Sequence, residues 1–310
     1  LDASEKTQEA EPLLVVVGPT ASGKSALALR VAEARDGEIV SADSVQVYRH
    51  FDIGSGKPTA AERTRVRHHL LDVAEPGDFV DAARWAALAD VAIADIRARG
   101  KTPIVCGGTF LWVRALLFGL AASPGADDAV RARHRDVMET QGRGALHAEL
   151  ARVDAVTAAR LAPNDFVRVS RALEVYELSN KPMSEWHAEH GFRRIRHPSR
   201  LLGIRFDAEA LSERIARRVD TMLEEGWVDE VRALVANGHR HARAMGSVGY
   251  RHIAAALERE TFEVPLLRDE IVRATRIFAR RQRTWLRDGA VEWLTPESAA
   301  TFTGEGSDRP

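Results

Sequence analysis

Short uncharged runs alternate with amphipathic stretches along most of this chain. Residues 13–17 (LLVVV) are apolar throughout and end in glycine, which predicts a parallel strand buried on both faces. Ser25 to Ala34 then carries Ala, Leu and Val at helical spacing. Glu38 to Ala42 (EIVSA), Thr102 to Cys106 (TPIVC) and Leu201 to Phe206 (LLGIRF) read as further strands, and Ala82 to Arg99 as a helix. A long helix starting near Leu211 leads to Gly226, and the helical pattern continues to about Asp288. This alternation predicts an α/β fold with a parallel sheet and right-handed crossovers.

One stretch breaks the rhythm. From about Asp127 to Glu189 the pattern is helical with no strand, opened by Ser123-Pro124-Gly125 and closed by Arg196-His197-Pro198-Ser199. The predicted organisation is a discontinuous core over 13–125 and 200–290, with an all-helical insertion over 126–199. Residues 1–12 and 297–310 are expected to be flexible tails, and no internal repeat is visible.

Composition narrows the function. With 310 residues, 45% of them apolar, the chain can build one large domain or two. No run of about 18 uncharged apolar residues exists, so no membrane span is expected. Residues 1–12 are polar and acidic, unlike a secretory signal or an Arg-rich transit peptide. The single cysteine, Cys106, excludes an intramolecular disulfide framework and a CxxC-type zinc site. A monomeric, cytoplasmic protein is expected. The net charge of −1 means that any charge for nucleic acid must be local. Lysine is scarce (Lys6, Lys24, Lys57, Lys101 and Lys181), which singles out Lys24 and Lys57, because arginine is not an equivalent point charge at a phosphate.

Gly18-Pro19-Thr20-Ala21-Ser22-Gly23-Lys24-Ser25 is a G-x4-G-K-[ST] phosphate loop between a strand and a helix. Its backbone N–H groups suit phosphate oxygens, Lys24 supplies charge, Ser25 can hold Mg²⁺, and the helix N-terminus favours the anion. ATP and GTP hydrolases add an Asp at the end of a neighbouring strand to hold the metal. Here the 102–106 strand ends in Cys106-Gly107-Gly108-Thr109, and the acidic residue at a strand end is Asp43. A base and hydroxyls facing a phosphate loop suit a reaction in which diphosphate leaves and a second substrate is deprotonated. A magnesium-binding Asp43 in a small-molecule kinase is the alternative.

Further pieces follow in order: SADSVQVYRHFDIGSGKP (41–58), HHLLDV (68–73), GGTFLW (107–112), RVSRALEVY (168–176), ERIARRVD (213–220), VGYR (248–251) and RQRTWLR (281–287). With the phosphate loop, they span about 13 to 290, and over that length the chain resembles the bacterial tRNA dimethylallyltransferase (tRNA isopentenyltransferase) family. The resemblance implies a phosphate-loop NTPase-like core. It also implies transfer of a dimethylallyl group from dimethylallyl diphosphate to the exocyclic amine of the tRNA adenosine 3′ of the anticodon. Gly18, Pro19, Thr20, Ala21, Ser22, Gly23, Lys24 and Ser25 would grip the diphosphate, with Mg²⁺ on Ser25. Asp43 falls on the general base and Thr109 on the residue paired with it. In ERIARRVD, Arg218 best matches the arginine that neutralises diphosphate, with Arg214 second. Contacts to the tRNA anticodon stem-loop are implied at Asp43, Ser44, Val45, Gln46 and Thr109. Others are implied at Arg131, Val167, Arg168, Val169, Ser170 and Arg171, and at Gly246, Ser247, Val248, Gly249, Tyr250 and Arg251. The target base would be flipped out, since a stacked base is sterically blocked.

The family usually has Pro at Arg67 and Gly-Leu-Tyr at Phe110-Leu111-Trp112, changes expected to reshape the channel wall. Met245-Gly246-Ser247 also departs from the commoner pattern. Independently of any resemblance, Arg273, Arg276, Arg280, Arg283 and Arg287 step by three and four along one helical face, which suits a phosphate backbone. Ile277, Phe278, Trp285 and Leu286 are expected to pack inward. The cluster Arg193, Arg194, Arg196 and Arg200 is a weaker candidate. His187 and His190 read as polar helix surface rather than a metal site, and His68-His69 as structural. Three rival readings are a small-molecule kinase, prenyl transfer to free adenosine phosphates, and a non-catalytic RNA-binding protein.

Overall fold

The apolar run Leu13–Val17 (β1) is buried at every position because it lies inside a parallel sheet. The computed structural model describes residues 11–259, 262–287 and 290–304; the expected tails over 1–10 and 305–310 fall outside them. The chain continues through Lys24–Ala34 (α1), Gly37–Ala42 (β2), Ala60–Arg65 (α2), His68–His69 (β3) and Ala82–Ala98 (α3). Thr102–Gly107 (β4) and Phe110–Phe118 (α4) follow. Five helices come next: Asp128–Gln141 (α5), Arg143–Val153 (α6), Ala155–Ala158 (α7), Phe166–Ser179 (α8) and Met183–His190 (α9). Then come Ser199–Ile204 (β5), Ala208–Glu224 (α10), Trp227–Ala236 (α11), Tyr250–Leu257 (α12) and Val264–Trp285 (α13). Val291–Leu294 (β6) and Pro296–Thr301 (α14) complete the described elements.

Residues 118–195 form one compact unit, and the described residues before and after it form another. The larger unit holds the sheet, ordered β3-β2-β4-β1-β5-β6 with every neighbouring pair parallel, as the strand–helix alternation requires. Leu14, Val16, Ile39, Ile104 and Cys106 turn one face toward Leu27, Ala28 and Val31 of α1. Residues of opposite parity, such as Val15 and Val105, belong to the other face. There α3 packs on β2 and β4, Trp85 donates to the Ser41 carbonyl at 3.0 Å, and its ring stacks on Trp112 with centroids 5.2 Å apart. No helix among the described residues is long and apolar enough to cross a membrane.

Two edge strands escape the hydrophobic pattern. His68–His69 is too short to show a period, and Val291–Leu294 mixes acidic and apolar residues. The expectation of a flexible tail from 297 is corrected by α14. Thr295 caps that helix, Pro296 begins it, Ala299 is buried against α1's side of the sheet, and the Gly304 carbonyl accepts from Arg35 and Arg200. Residues 196–199 belong to the sheet-bearing unit: Arg196 N donates to the Leu117 carbonyl and Leu13 N to Pro198.

The helical unit has its own core of Leu146, Leu150, Val169, Leu173 and Val175. Glu174, fully buried within it, accepts from Asp127 N at 2.7 Å, Arg131 Nε at 2.8 Å and Arg171 Nη1 at 2.7 Å. These donors hold its carboxyl pKa below the usual range against the opposing effect of burial, which is the largest single influence.

Candidate active site

Adjacent strands β2, β4 and β1 end side by side, so the segments leaving their carboxyl ends share one rim of the sheet. That rim is where open α/β sheets bind ligands. From β1 the chain enters the phosphate loop. Ala21 (φ 63°) and Gly23 (φ 80°) take left-handed conformations that turn the chain into α1, with Gly23 as its N-cap residue. Lys24 and Ser25 therefore open the helix. Among the described residues, the buried Ser22 hydroxyl has no hydrogen-bond partner. Burial lowers the Lys24 ammonium pKa and the nearby Arg218 charge adds to this, while Cys106 and Asp43 oppose it. The Lys24 ammonium sits 3.5 Å from the Pro19 carbonyl.

Asp43 follows β2. Its Oδ1 accepts from Val45 N at 2.9 Å and Gln46 N at 3.3 Å, which leaves Oδ2 without a donor among the described residues. Thr109 follows β4. Its Oγ1 accepts from Ser44 N at 3.0 Å and its own N–H donates to the Ala42 carbonyl at 3.2 Å, which ties the two turns together. Gln46 reaches the other way, donating to the Ser55 and Gly56 carbonyls at 3.1 and 3.0 Å.

These turns open on a cavity of about 660 Å³. Thr20, Lys24, Ser25, Asp43, Ser44, Thr109 and Arg218 line it, with an apolar wall of Ile215, Val219, Met222 and Trp227. Burial lowers the Arg218 pKa, against the attraction of Asp43 and Glu225. Arg214 is elsewhere: its Nε donates to the Ala21 carbonyl at 2.8 Å and its guanidinium lies over the Phe206 ring. It braces the strained turn of the phosphate loop, and Arg218 is the arginine that faces the cavity.

Other positions divide clearly. Gly246, Ser247, Val248 and Arg251 line the cavity, but Tyr250 is fully buried and its hydroxyl donates to Glu230 at 2.6 Å. Gly249 packs against the Trp227 ring. In the helical unit Val167 and Arg168 are exposed, whereas Val169 is core and the buried Ser170 hydroxyl bonds His134 at 2.8 Å. Arg131 and Arg171 are committed to Glu174. Surface contacts through the side chains of Val169, Ser170 and Tyr250 are thus corrected to packing roles. Lys57 is also internal, held by the Tyr48 carbonyl at 2.7 Å, Asp52 at 2.7 Å and Asp72 at 2.5 Å. Among the described residues no cluster of His, Cys, Asp and Glu could hold a metal by itself.

Along α13, Arg273, Arg276, Arg280 and Arg283, together with Arg287 just past its end, are exposed and form no ion pair among the described residues. Leu286 packs inward, but Ile277, Phe278 and Trp285 do not. Ile277 and Phe278 border the cavity and Trp285 is half exposed. The apolar residues that do anchor the helix are Leu267, Ile271, Val272 and Ala279. Arg67 is exposed, Phe110 and Trp112 are buried, and none of them lines the cavity, so they do not reshape its wall.

Two supporting residues were not foreseen. Glu230 of α11 accepts from the backbone N–H groups of Asp52 (2.8 Å), Ile53 (2.6 Å) and Gly54 (3.3 Å), fixing the loop beside the cavity. Gln282 of α13 bridges the phosphate loop and the turn before Thr109. Both act on backbone groups far away in sequence; Gln282 lies within RQRTWLR, but nothing in that piece names its partners, and Glu230 lies in no motif at all.

A family model described as IPP transferase matches residues 46–289. The tRNA dimethylallyltransferase of Sorangium cellulosum (strain So ce56) is 61% identical over 286 residues, covering 91% of this chain and 90% of that one. That of Anaeromyxobacter sp. (strain Fw109-5) is 50% identical over 285 residues, covering 92% and 94%. The crystal structure of the full-length tRNA isopentenylpyrophosphate transferase from Bacillus halodurans is similar at a TM-score of 0.66 and 35% identity, covering 92% of this chain and 90% of that one. A eukaryotic dimethylallyltransferase acting on tRNA reaches a TM-score of 0.75 at 26% identity, covering 91% and 73%. With a phosphate loop, an acidic turn and an arginine around one cavity, and relatives matched over nine-tenths of its length, the chain belongs to the tRNA dimethylallyltransferase (IPP transferase) family.

Proposed function

We propose that the cavity is where this enzyme, a tRNA dimethylallyltransferase that prenylates the adenosine 3′ of the anticodon from dimethylallyl diphosphate, carries out its transfer. One observation carries the assignment: Lys24, Asp43, Thr109 and Arg218 face a single cavity from four different segments. The donor diphosphate lies against the phosphate loop, between Lys24 and Arg218. As the carbon–oxygen bond to diphosphate breaks, the two cations take up the charge on the leaving group. The adenosine amine nitrogen forms the new bond to carbon and gives its proton to Asp43 Oδ2, the oxygen that the Val45 and Gln46 amides leave open. Thr109 holds the acidic turn through Ser44 and offers its hydroxyl to the base.

The residues fit Mg²⁺ as a partner of the diphosphate. Ser25 faces the cavity in the first turn of α1, and the Ser22 hydroxyl is an unpartnered polar atom inside the loop. Bound there, the ion would neutralise charge on the leaving diphosphate. For tRNA, the exposed candidates are Ser44, Arg251 and the α13 arginines in the larger unit, and Val167 and Arg168 in the helical one.

The test is incubation with labelled dimethylallyl diphosphate and, separately, unmodified tRNA, AMP or ATP. Label is expected in tRNA alone. Labelling of AMP or ATP, or rapid ATP hydrolysis without use of the prenyl donor, would overturn the assignment.

A further inference from the structure

A second stripe of α13, distinct from the arginine face, carries Ala274, Phe278, Arg281 and Trp285 at spacings of three and four residues; the first three border the cavity, and Trp285 stands one turn beyond its edge. Its two aromatic rings remain open, Phe278 at 41% and Trp285 at 50% exposure, while Trp85, Trp112, Trp227, Tyr48 and Tyr250 are all buried. Seven residues apart, the rings stand on one line about 10 Å from each other along the axis. Arg281 lies between them, exposed at the cavity edge and without an ion pair among the described residues. The Arg114 guanidinium of α4 sits over the Trp285 ring, 5.6 Å from its centroid, which fixes the ring's attitude.

We infer that Phe278 and Trp285 are a stacking platform for the unpaired tRNA nucleotides that flank the target adenosine, with Arg281 meeting the backbone between them. The inference rests on the proposed function, because it takes the cavity as the destination of the flipped base. Drawing one base out of a loop strips its neighbours of their stacking partner. Aromatic side chains recover that loss for any base, since every base presents a π-face, and arginine supplies charge for the phosphates. An RNA loop is favoured over a protein partner by the charge around the rings. Arg280, Arg281 and Arg283 surround them, and none is neutralised by a described acidic side chain.

The experiment measures binding of an unmodified anticodon stem-loop RNA to the full chain for wild type, Trp285→Ala, Trp285→Leu, Trp285→Phe, Phe278→Leu and Arg281→Ala. Leucine keeps apolar surface but has no π-face. Trp285→Ala, Trp285→Leu and Phe278→Leu are expected to weaken binding by about ten-fold or more, and Trp285→Phe by far less. Their salt dependence should match wild type, whereas Arg281→Ala should flatten it by roughly 0.7–0.9 log units. The loss caused by Trp285→Leu should shrink when the RNA carries abasic residues beside the target. Leucine variants that bind like wild type, or losses of equal size on abasic RNA, would overturn the platform. A wild-type protein that binds the stem-loop yet transfers no prenyl group overturns the functional reading instead, and the pattern of affinities still decides the platform.

Discussion

Gln282 and Thr20 lie 262 positions apart in sequence, yet the Thr20 backbone N–H donates to the Gln282 side-chain oxygen at 2.9 Å. The same buried amide donates through its nitrogen to the Gly108 carbonyl at 3.0 Å. A Cβ at Gly108 would come within 2.6 Å of that nitrogen, so glycine is what admits the bridge. The helix that carries the exposed arginines is thereby fastened to the phosphate-loop motif and to the turn that holds Thr109. Gln282→Leu should leave a buried carbonyl unsatisfied, at about 1–3 kcal/mol. It should also raise the KM for dimethylallyl diphosphate more than it lowers kcat. Steady-state kinetics at saturating tRNA, beside thermal unfolding, check both. Lost stability with an unchanged donor KM would show the bridge to be structural only.

Asp43 places one carboxylate oxygen on two backbone N–H groups and keeps the other toward the cavity. Asp43→Asn preserves an oxygen for those amides but removes the carboxylate proposed as the base. Transfer should fall by roughly 10²–10⁴ with little change in fold, measured as single-turnover rate beside circular dichroism. A variant with near-wild-type turnover would remove Asp43 from the chemistry.

The two arginines one helical turn apart on α10 separate by partner. Arg218 faces the cavity, so Arg218→Gln should cost kcat about 10²–10³-fold, the range for removing one donor from a developing negative charge. Arg214 holds the Ala21 carbonyl, so Arg214→Gln should act mainly on donor KM by loosening the loop. Donor titrations of both variants decide it, and equal kcat losses would mean that Arg214 also reaches the diphosphate.

How much of this could be read before the structure follows from where each residue's partners lie. Lys24, Asp43 and Thr109 sit just past the ends of three apolar strands, and parallel packing gathers such ends whatever else the chain does. Strand pattern and the phosphate-loop motif therefore point to Lys24 and Asp43, while Thr109 is singled out by the family resemblance. Glu230 binds backbone groups 176 to 178 positions away, and its own surroundings look like an ordinary charged helix. Tyr250 and Ser170 look like surface hydroxyls until their partners, Glu230 and the buried His134, are known. On α13 the error has a different source. Apolar character predicts that Ile277 and Phe278 face inward, but the wall beside them is a cavity rather than a core. Hydrophobic periodicity cannot tell those two apart.

Arg276 and Arg283 are exposed, seven residues apart and unpaired among the described residues. If both reach tRNA phosphates, the Arg276→Ala, Arg283→Ala double variant should lower the salt slope of tRNA binding by about 1.5 log units through lost counterion release. Stability should move by no more than about 0.5 kcal/mol, as for most exposed substitutions. Affinity at several salt concentrations is the measurement. Parallel lines of equal height would make this face solvated surface.

Glu38, at the start of β2, ties the sheet edge to α3. Its buried carboxylate accepts from Arg99 Nη2 at 2.7 Å and also from Nη1, and it lies 2.6 Å from His69 Nε2 on β3. The Arg99 hydrogen bonds pull its pKa down to about 2, overcoming the opposing effect of burial, with His69 adding to the shift. A carboxyl group whose folded pKa is depressed binds fewer protons in the native state than in the unfolded chain. It therefore stabilises fully above the unfolded value of about 4.3, and that stability is lost as pH falls toward 2. The difference corresponds to stabilisation on the order of 3 kcal/mol at neutral pH. Glu38→Gln should remove it, so that wild type and variant differ most at pH 7 and converge as pH falls from 5 toward 2. Denaturant unfolding across that range provides the test. A difference that stays constant with pH would mean that Glu38 contributes through packing and neutral hydrogen bonds, not through its charge.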